Sequence, residues 1–178
     1  MNRIAIFGGT FNPIHNGHLH IAQQFQKQLR AQRVLFIPTF VPPHKRAPDL
    51  APAEDRLEMC RLACEGTLFE VSDLEIRRGG PSYTAETLLA LKREYPDADV
   101  IYSLATICAA PRSTDGLKKL RVYAEKLARH GAKVILQNID YLPVSSTMVR
   151  EAVRQGRTID ALVPAKVARY IRENGLYH

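Results

Sequence analysis

The sequence has no tryptophan, and phenylalanine and tyrosine together bring aromatics to only 7% of its 178 residues. A basic surface interleaved with aromatic rings, the platform for single-stranded nucleic acid, is not written into it, so no nucleic-acid partner is expected. Cysteine is also scarce. Cys60, Cys64 and Cys108 form no disulfide framework and no paired Cys-x-x-Cys zinc spacing. Cys60 and Cys64 lie one helical turn apart in an apolar run and read as core packing. No apolar run is long enough to span a bilayer, and the start of the chain has no charged segment followed by an apolar one. A reducing, cytoplasmic setting without a membrane partner is expected. Acidic side chains are the minority, 18 against 25 basic, for a formal charge of +7. The basic residues are spread along the chain, a surface suited to an acidic small molecule.

What is present is an ordinary globular composition, 46% apolar and 24% charged. At this length it predicts a single domain, 1–178, with a sizeable core. The stretch on which the rest is organised is residues 4–19. Ile4 to Phe7 reads as a short buried strand, Gly8-Gly9 breaks it, and Asn12-Pro13 and Asn16-Gly17 supply turn chemistry. From Gly17 to Leu29 the apolar spacing becomes helical, through Leu19, Ile21, Ala22, Phe25 and Leu29. Strand, tight loop and helix start form the place where α/β proteins hold phosphate. Glycine lets a ligand approach the backbone, and the first helical turn offers N–H groups and a positive dipole end. The loop is neither a Walker loop nor a Gly-x-Gly-x-x-Gly dinucleotide fingerprint. Its distinctive residues are Thr10 and His15-Asn16-Gly17-His18. A zinc site on His15, His18 and His20 is disfavoured because no acidic or cysteine ligand is nearby in sequence, so no protein-held metal is expected.

Further along, Val34 to Pro38 reads as a second buried strand, parallel to the first through a right-handed crossover. Thr39 to Pro52 is a proline-rich basic loop containing Val41-Pro42-Pro43-His44-Lys45-Arg46. Ala53 to Gly66 is helical, with Leu57, Met59, Cys60, Leu62 and Ala63 on its apolar face and Arg56 and Arg61 read as surface or ion-paired. Phe69 to Val71 is a short strand, from which Asp73 to Arg78 runs out. A turn, Arg78-Gly79-Gly80-Pro81-Ser82-Tyr83-Thr84, leads into a helix over Ala85–Tyr95. Thr84 or Ser82 is its expected N-cap, and Leu88, Leu89 and Leu91 its apolar side. Ala98 to Ala110 is apolar almost without relief and about twice the length of a usual strand of roughly 5–6 residues. It reads as two strands with nothing between them. A helix over Gly116–His130, a strand over Ala132–Leu136, and helices over Met148–Gln155 and Ala165–Asn174 complete a doubly wound parallel α/β sheet.

The His15-Asn16-Gly17-His18 block resembles the (His/Thr)-x-Gly-His signature of the nucleotidyltransferase superfamily. With Pro42-Pro43-His44-Lys45, Arg78 to Thr84 and Val144-Ser145-Ser146-Thr147-Met148-Val149-Arg150 in the same order, most of the chain resembles the bacterial nicotinate mononucleotide adenylyltransferases. That resemblance implies a Rossmann-like fold. It also implies transfer of the adenylyl group of ATP to nicotinate mononucleotide, giving nicotinic acid adenine dinucleotide and diphosphate in NAD biosynthesis. His15, His18, Lys45 and Arg150 are implied as the charge-stabilising catalytic residues. Gly8, Gly9, Thr10, Phe11, His15, His18, Ser145, Ser146, Thr147 and Arg150 are implied for ATP. Thr10, Phe11, Asn12, Lys45, Ser82, Tyr83, Thr84 and Arg112 are implied for the mononucleotide. Magnesium would arrive with ATP, held mainly by phosphates and water. Whether the chain forms a homo-oligomer is left open.

The sequence departs from these relatives in one place. The family carries a Gly-x-Asp segment after the fourth strand and then a tryptophan that stacks on the pyridine ring. Here no glycine is followed two places later by aspartate, and there is no tryptophan. Both belong near Ser103–Leu104, where the strand run is too long, so a connection is expected to be missing there. The alternatives to the implied activity are a shortened, weak or inactive nucleotide-binding relative, or an adenylyltransferase for another phosphorylated acceptor.

Overall fold

The computed structural model describes residues 3–42, 49–97, 99–103 and 142–178. Four strands pair in parallel in the order β3-β2-β1-β4: β1 (Arg3–Gly9), β2 (Arg33–Pro38), β3 (Phe69–Val71) and β4 (Asp99–Ser103). β1 is central. It pairs with β2 from Ile4↔Arg33 to Gly9↔Pro38, and with β4 from Arg3↔Asp99 to Phe7↔Ser103. The helices are α1 (Asn16–Leu29), α2 (Ala53–Cys64), α3 (Leu74–Arg78), α4 (Thr84–Glu94), α5 (Ser146–Arg154) and α6 (Ala165–Glu173).

The period-2 alternation of a strand sends neighbouring side chains to opposite faces, and here both faces are covered. Ala5, Phe7, Val34, Phe36 and Phe69 join Ala22 of α1, Met59 and Cys60 of α2, Val149 and Ala152 of α5, and Ile171 of α6 in one core. Ile4, Ile6, Leu35 and Ile37 face the other way onto Leu91 of α4. This is the doubly wound α/β arrangement that the sequence predicts. Because β2 and β4 flank β1 on opposite sides, the chain reverses its winding beside β1. The crevice beyond the C-terminal ends of these strands is the topological switch point, where such sheets bind ligands.

Three local expectations are corrected. Asp73 to Arg78 does not run out extended. Arg77 Nε donates to the Asp73 carboxylate one turn back at 2.7 Å, and residues 74–78 coil into α3. At the start of α4, Tyr83 occupies the cap position without a side-chain cap, because the Ser82 hydroxyl instead accepts from Phe40 N at 3.0 Å. The expected apolar side of α4 is met at Leu91, which is buried, and in part at Leu88, but not at Leu89. Leu89 is 63% exposed, while Thr87 is fully buried and donates to Glu75 Oε1 at 2.6 Å. The expected helix at Gly116–His130, the strand at Ala132–Leu136, and the stretch following Ser103 lie outside the described residues.

Candidate active site

β1 ends in Gly8-Gly9, and the chain then turns sharply into α1. Gly9 has no room for a side chain, since a Cβ there would stand 3.0 Å from the tip of the Phe11 ring. Phe11 itself takes a left-handed backbone at φ 46°, sparsely populated by residues other than glycine. Its ring is buried at 3% exposure against Phe7 and Phe36. The side chain is thus an anchor, and the backbone of Thr10 and Phe11 is what the loop presents.

The two signature histidines are held as a pair. Their rings stack with centroids 3.6 Å apart and 23° between planes. Phe11 and Phe7 meet the His18 ring edge-on, at 5.1 and 6.2 Å between centroids. His18 Nδ1 accepts a hydrogen bond from His15 N at 3.2 Å. An acceptor Nδ1 places the ring proton on Nε2, the nitrogen then able to donate to a phosphate oxygen.

The second wall is the start of α5. Ser145 caps that helix, its hydroxyl accepting from Met148 N at 3.2 Å. Ser146 donates its hydroxyl to Pro13 O at 2.8 Å, and Arg150 Nη1 donates to Asn12 O at 2.8 Å. These bonds bind the helix start directly to the signature loop. Arg150 Nη2 reaches Thr147 Oγ1 at 3.5 Å, while its Nε is buried with no acceptor among the described residues. The N-termini of α1 and α5, with their N–H groups and positive dipole ends, border one cleft.

That cleft has a volume of about 730 Å³. Gly8, Gly9, Thr10, Phe11, Asn12, His15, His18, Ser145, Ser146, Thr147 and Arg150 all line it, together with Phe7 and Pro42. The expected ATP residues are therefore gathered in one place. The Asn12 side chain is turned into the protein: Nδ2 donates to Asp49 O at 2.8 Å, and Oδ1 accepts from Ala51 N at 3.0 Å. Ser82, Tyr83 and Thr84 stand off the cleft wall. Ser82 is buried and ties the turn to the chain after β2, through Phe40 N and Val41 O. Tyr83 is 49% exposed, and Thr84 opens α4. Lys45 and Arg112 lie outside the described residues.

Two residues that motif reading passed over take part in the site's framework. Arg56, expected at the surface or in an ion pair, is 1% exposed and forms no ion pair among the described residues. Its guanidinium donates to Ala51 O, Thr10 O, Thr39 O and Phe40 O at 3.0, 2.8, 2.6 and 2.9 Å. Burial lowers its pKa, against the charge of Tyr177, Cys60 and Glu54. A signal was present: Arg56 lies four and seven residues before Cys60 and Ala63, on the helix stripe that faces the core. The second residue is Tyr177, which no sequence pattern marks. Its hydroxyl donates to Asn12 Oδ1 at 2.8 Å.

A family model described as Cytidylyltransferase-like matches residues 6–152. The chain belongs to this family. Within it, curated relatives match almost end to end. The probable nicotinate-nucleotide adenylyltransferase of Dehalococcoides mccartyi strain 195 is 36% identical over 99% of this chain and 97% of its own length. The one from Synechococcus sp. strain JA-3-3Ab is 40% identical over 98% and 94%. The nicotinate-nucleotide adenylyltransferase of Bacillus subtilis is 36% identical, with 99% of both chains covered. Among solved structures, Plasmodium falciparum nicotinic acid mononucleotide adenylyltransferase complexed with NaAD superposes with a TM-score of 0.73 at 20% identity, over 99% of this chain and 98% of that one. This confirms the nucleotidyltransferase fold of the family.

Proposed function

We propose that this chain is a nicotinate-nucleotide adenylyltransferase acting in NAD biosynthesis. A phosphate oxygen of nicotinate mononucleotide attacks the α-phosphorus of ATP. The bond from that phosphorus to the bridging oxygen breaks, and diphosphate leaves with the electron pair. No side chain has to form a covalent bond. In-line transfer between phosphates needs positioning and charge neutralisation. The carrying observation is that His15, His18 and the α5 start with Arg150 line one cleft at the switch point.

In this reading His18 donates from Nε2 to the triphosphate, and His15 stacks behind it. The N–H groups at the α5 start and the Arg150 guanidinium cradle phosphate oxygens. Thr10 and Phe11 position the nucleotide through the backbone. Lys45 balances charge on the transferring group. Tyr83, Thr84 and Arg112 form the mononucleotide side, beyond the described cleft lining, while the inward-turned Asn12 and Ser82 side chains hold the loops that frame it. The one charged side chain among the described residues lining the cleft, Arg150, is cationic. Among the described residues no three His, Cys, Asp or Glu side chains stand close enough to hold an ion. The donor set fits an anion, so magnesium would enter on ATP, bound by phosphate oxygens and water. No described helix is long and apolar enough to cross a membrane, and Cys60 and Cys64 are buried free thiols. Both features suit a cytoplasmic enzyme.

The test is diphosphate release from ATP with three acceptors compared side by side: nicotinate mononucleotide, nicotinamide mononucleotide and pantetheine phosphate. The highest kcat/KM is expected with the first, and a preference for either of the others overturns the assignment. One observation favours a second reading, a shortened relative that binds ATP with little turnover. The alignment to the Dehalococcoides relative spans 198 positions against the 178 residues here, and the chain has no tryptophan to stack on a pyridine ring. We place the shortfall at Ser103–Leu104. ATP binding by calorimetry without turnover on any acceptor would select this second reading. An intact mass above 20.0 kDa, with a tryptophan-containing peptide, would remove its basis.

A further inference from the structure

We infer that Tyr177 is a positioning residue for adenylyl transfer: its phenol O–H fixes Asn12, and through Asn12 the signature loop and Arg150. The inference rests on the proposed function of the cleft. Tyr177 and Asn12 are 165 residues apart in sequence, yet the hydroxyl stands 2.8 Å from Asn12 Oδ1. Burial pushes the phenol pKa up from its ordinary value of 10.0, so the group stays a donor well into the alkaline range. Tyr177 holds a left-handed backbone at φ 68°, a conformation kept only where surroundings impose it.

Asn12 is where the site's walls meet. Its Oδ1 accepts from Tyr177 and from Ala51 N, and its Nδ2 donates to Asp49 O. Its main-chain oxygen accepts from Arg150 Nη1 at 2.8 Å. The side chain is 6% exposed, so a donor removed from Oδ1 is not replaced by bulk water. Tyr177 is not among the described residues that line the cleft. It acts by setting the orientation of Asn12, and the Asn12 carbonyl sets where the Arg150 guanidinium sits.

The test compares Tyr177→Phe with Tyr170→Phe. The second removes a phenol O–H from the neighbouring helix, one that bonds Asp55 Oδ1 at 2.8 Å and never meets Asn12. Both variants are followed by thermal melting, ATP calorimetry and saturation kinetics with ATP and nicotinate mononucleotide. For Tyr177→Phe, a folded protein with ATP affinity weakened roughly 3- to 10-fold is expected, the loss of one hydrogen bond's worth of ordering. Tyr170→Phe should leave ATP affinity unchanged. Combining Tyr177→Phe with Arg150→Lys should cost less than the product of the single losses. ATP affinity and kcat/KM within about 2-fold of the parent in folded Tyr177→Phe overturn the inference, as does an equal loss in Tyr170→Phe. If the parent binds ATP but transfers it to no acceptor, the functional reading fails while calorimetry still tests the Tyr177 contact.

Discussion

Gly17, between the two histidines, is a residue whose missing side chain has a clear purpose. A Cβ at this position would stand 3.0 Å from His15 Nδ1 and 3.2 Å from Val144 O. One neighbour is a stacked ring and the other is backbone just before α5, and neither can give way without moving the site. Ala is a better helix former than Gly, so Gly17→Ala gains a little helix stability while displacing the His15 ring. The variant should fold, with its melting temperature within a few degrees of the parent, and lose roughly tenfold in kcat. A kcat equal to the parent's would show that His15 has slack the geometry denies. At this scale the signature histidines, glycines and serine cap were legible because each type has a chemical reason at its position. Asn12 was legible as a member of the loop but not in its role. Its side chain faces inward to Asp49, Ala51 and Tyr177, and no local pattern encodes partners that far away.

At the scale of elements, the site depends on loops from different strands being held in register. Arg56, in the first turn of α2, gathers carbonyls from the signature loop, from the end of β2 and from the segment just before α2. The bonds join Thr10 to Thr39, Phe40 and Ala51. Replacing it by Met preserves much of the volume and removes every donor, leaving one buried and three part-buried carbonyls without this partner. Arg56→Met should destabilise the fold by at least about 3 kcal/mol, lowering the melting temperature by roughly 6–12 °C. Arg56→Lys, which keeps the charge and some of the donors, should recover part of that. Equal melting of parent and Arg56→Met would contradict this role. The elements themselves were well marked in sequence, because β1, β2, α1 and α2 combine apolar period with glycine or proline at their ends. The surprises sit where polar contacts override apolar counting. Thr87 is buried because Glu75 accepts its hydroxyl, and Leu89 is left outside. Asp73 and Arg77 pair across one turn of α3 where the sequence showed only a connection.

Over the whole molecule, the two-sided sheet buries groups that hold their protons more tightly when folded. Burial pushes the Cys64 thiol from 9.0 up to about 12, and raises Cys60, fully enclosed beside Cys64, well above the same starting value. Burial raises the Tyr177 phenol as well, and burial with the Asp55 carboxylate pushes Tyr170 up to about 12. In the unfolded chain these thiols lose protons near pH 9 and the phenols near 10, while the native protein keeps them. Above that point the unfolded state binds fewer protons than the native state, so stability must fall as pH rises. The contribution is complete below about pH 9 and is lost progressively through about pH 12. Melting temperatures at about pH 8, about 9.5 and about 11 should therefore decline, with the steepest drop in the upper interval. Tyr177→Phe removes one of the four groups and should flatten the decline relative to its own value at the lowest pH. A melting temperature constant across that range would mean that the thiols and phenols are not enclosed as the core around α2 and α6 requires. The same burial keeps Cys60 and Cys64 protonated and shielded, so neither should react with a thiol reagent until the chain unfolds.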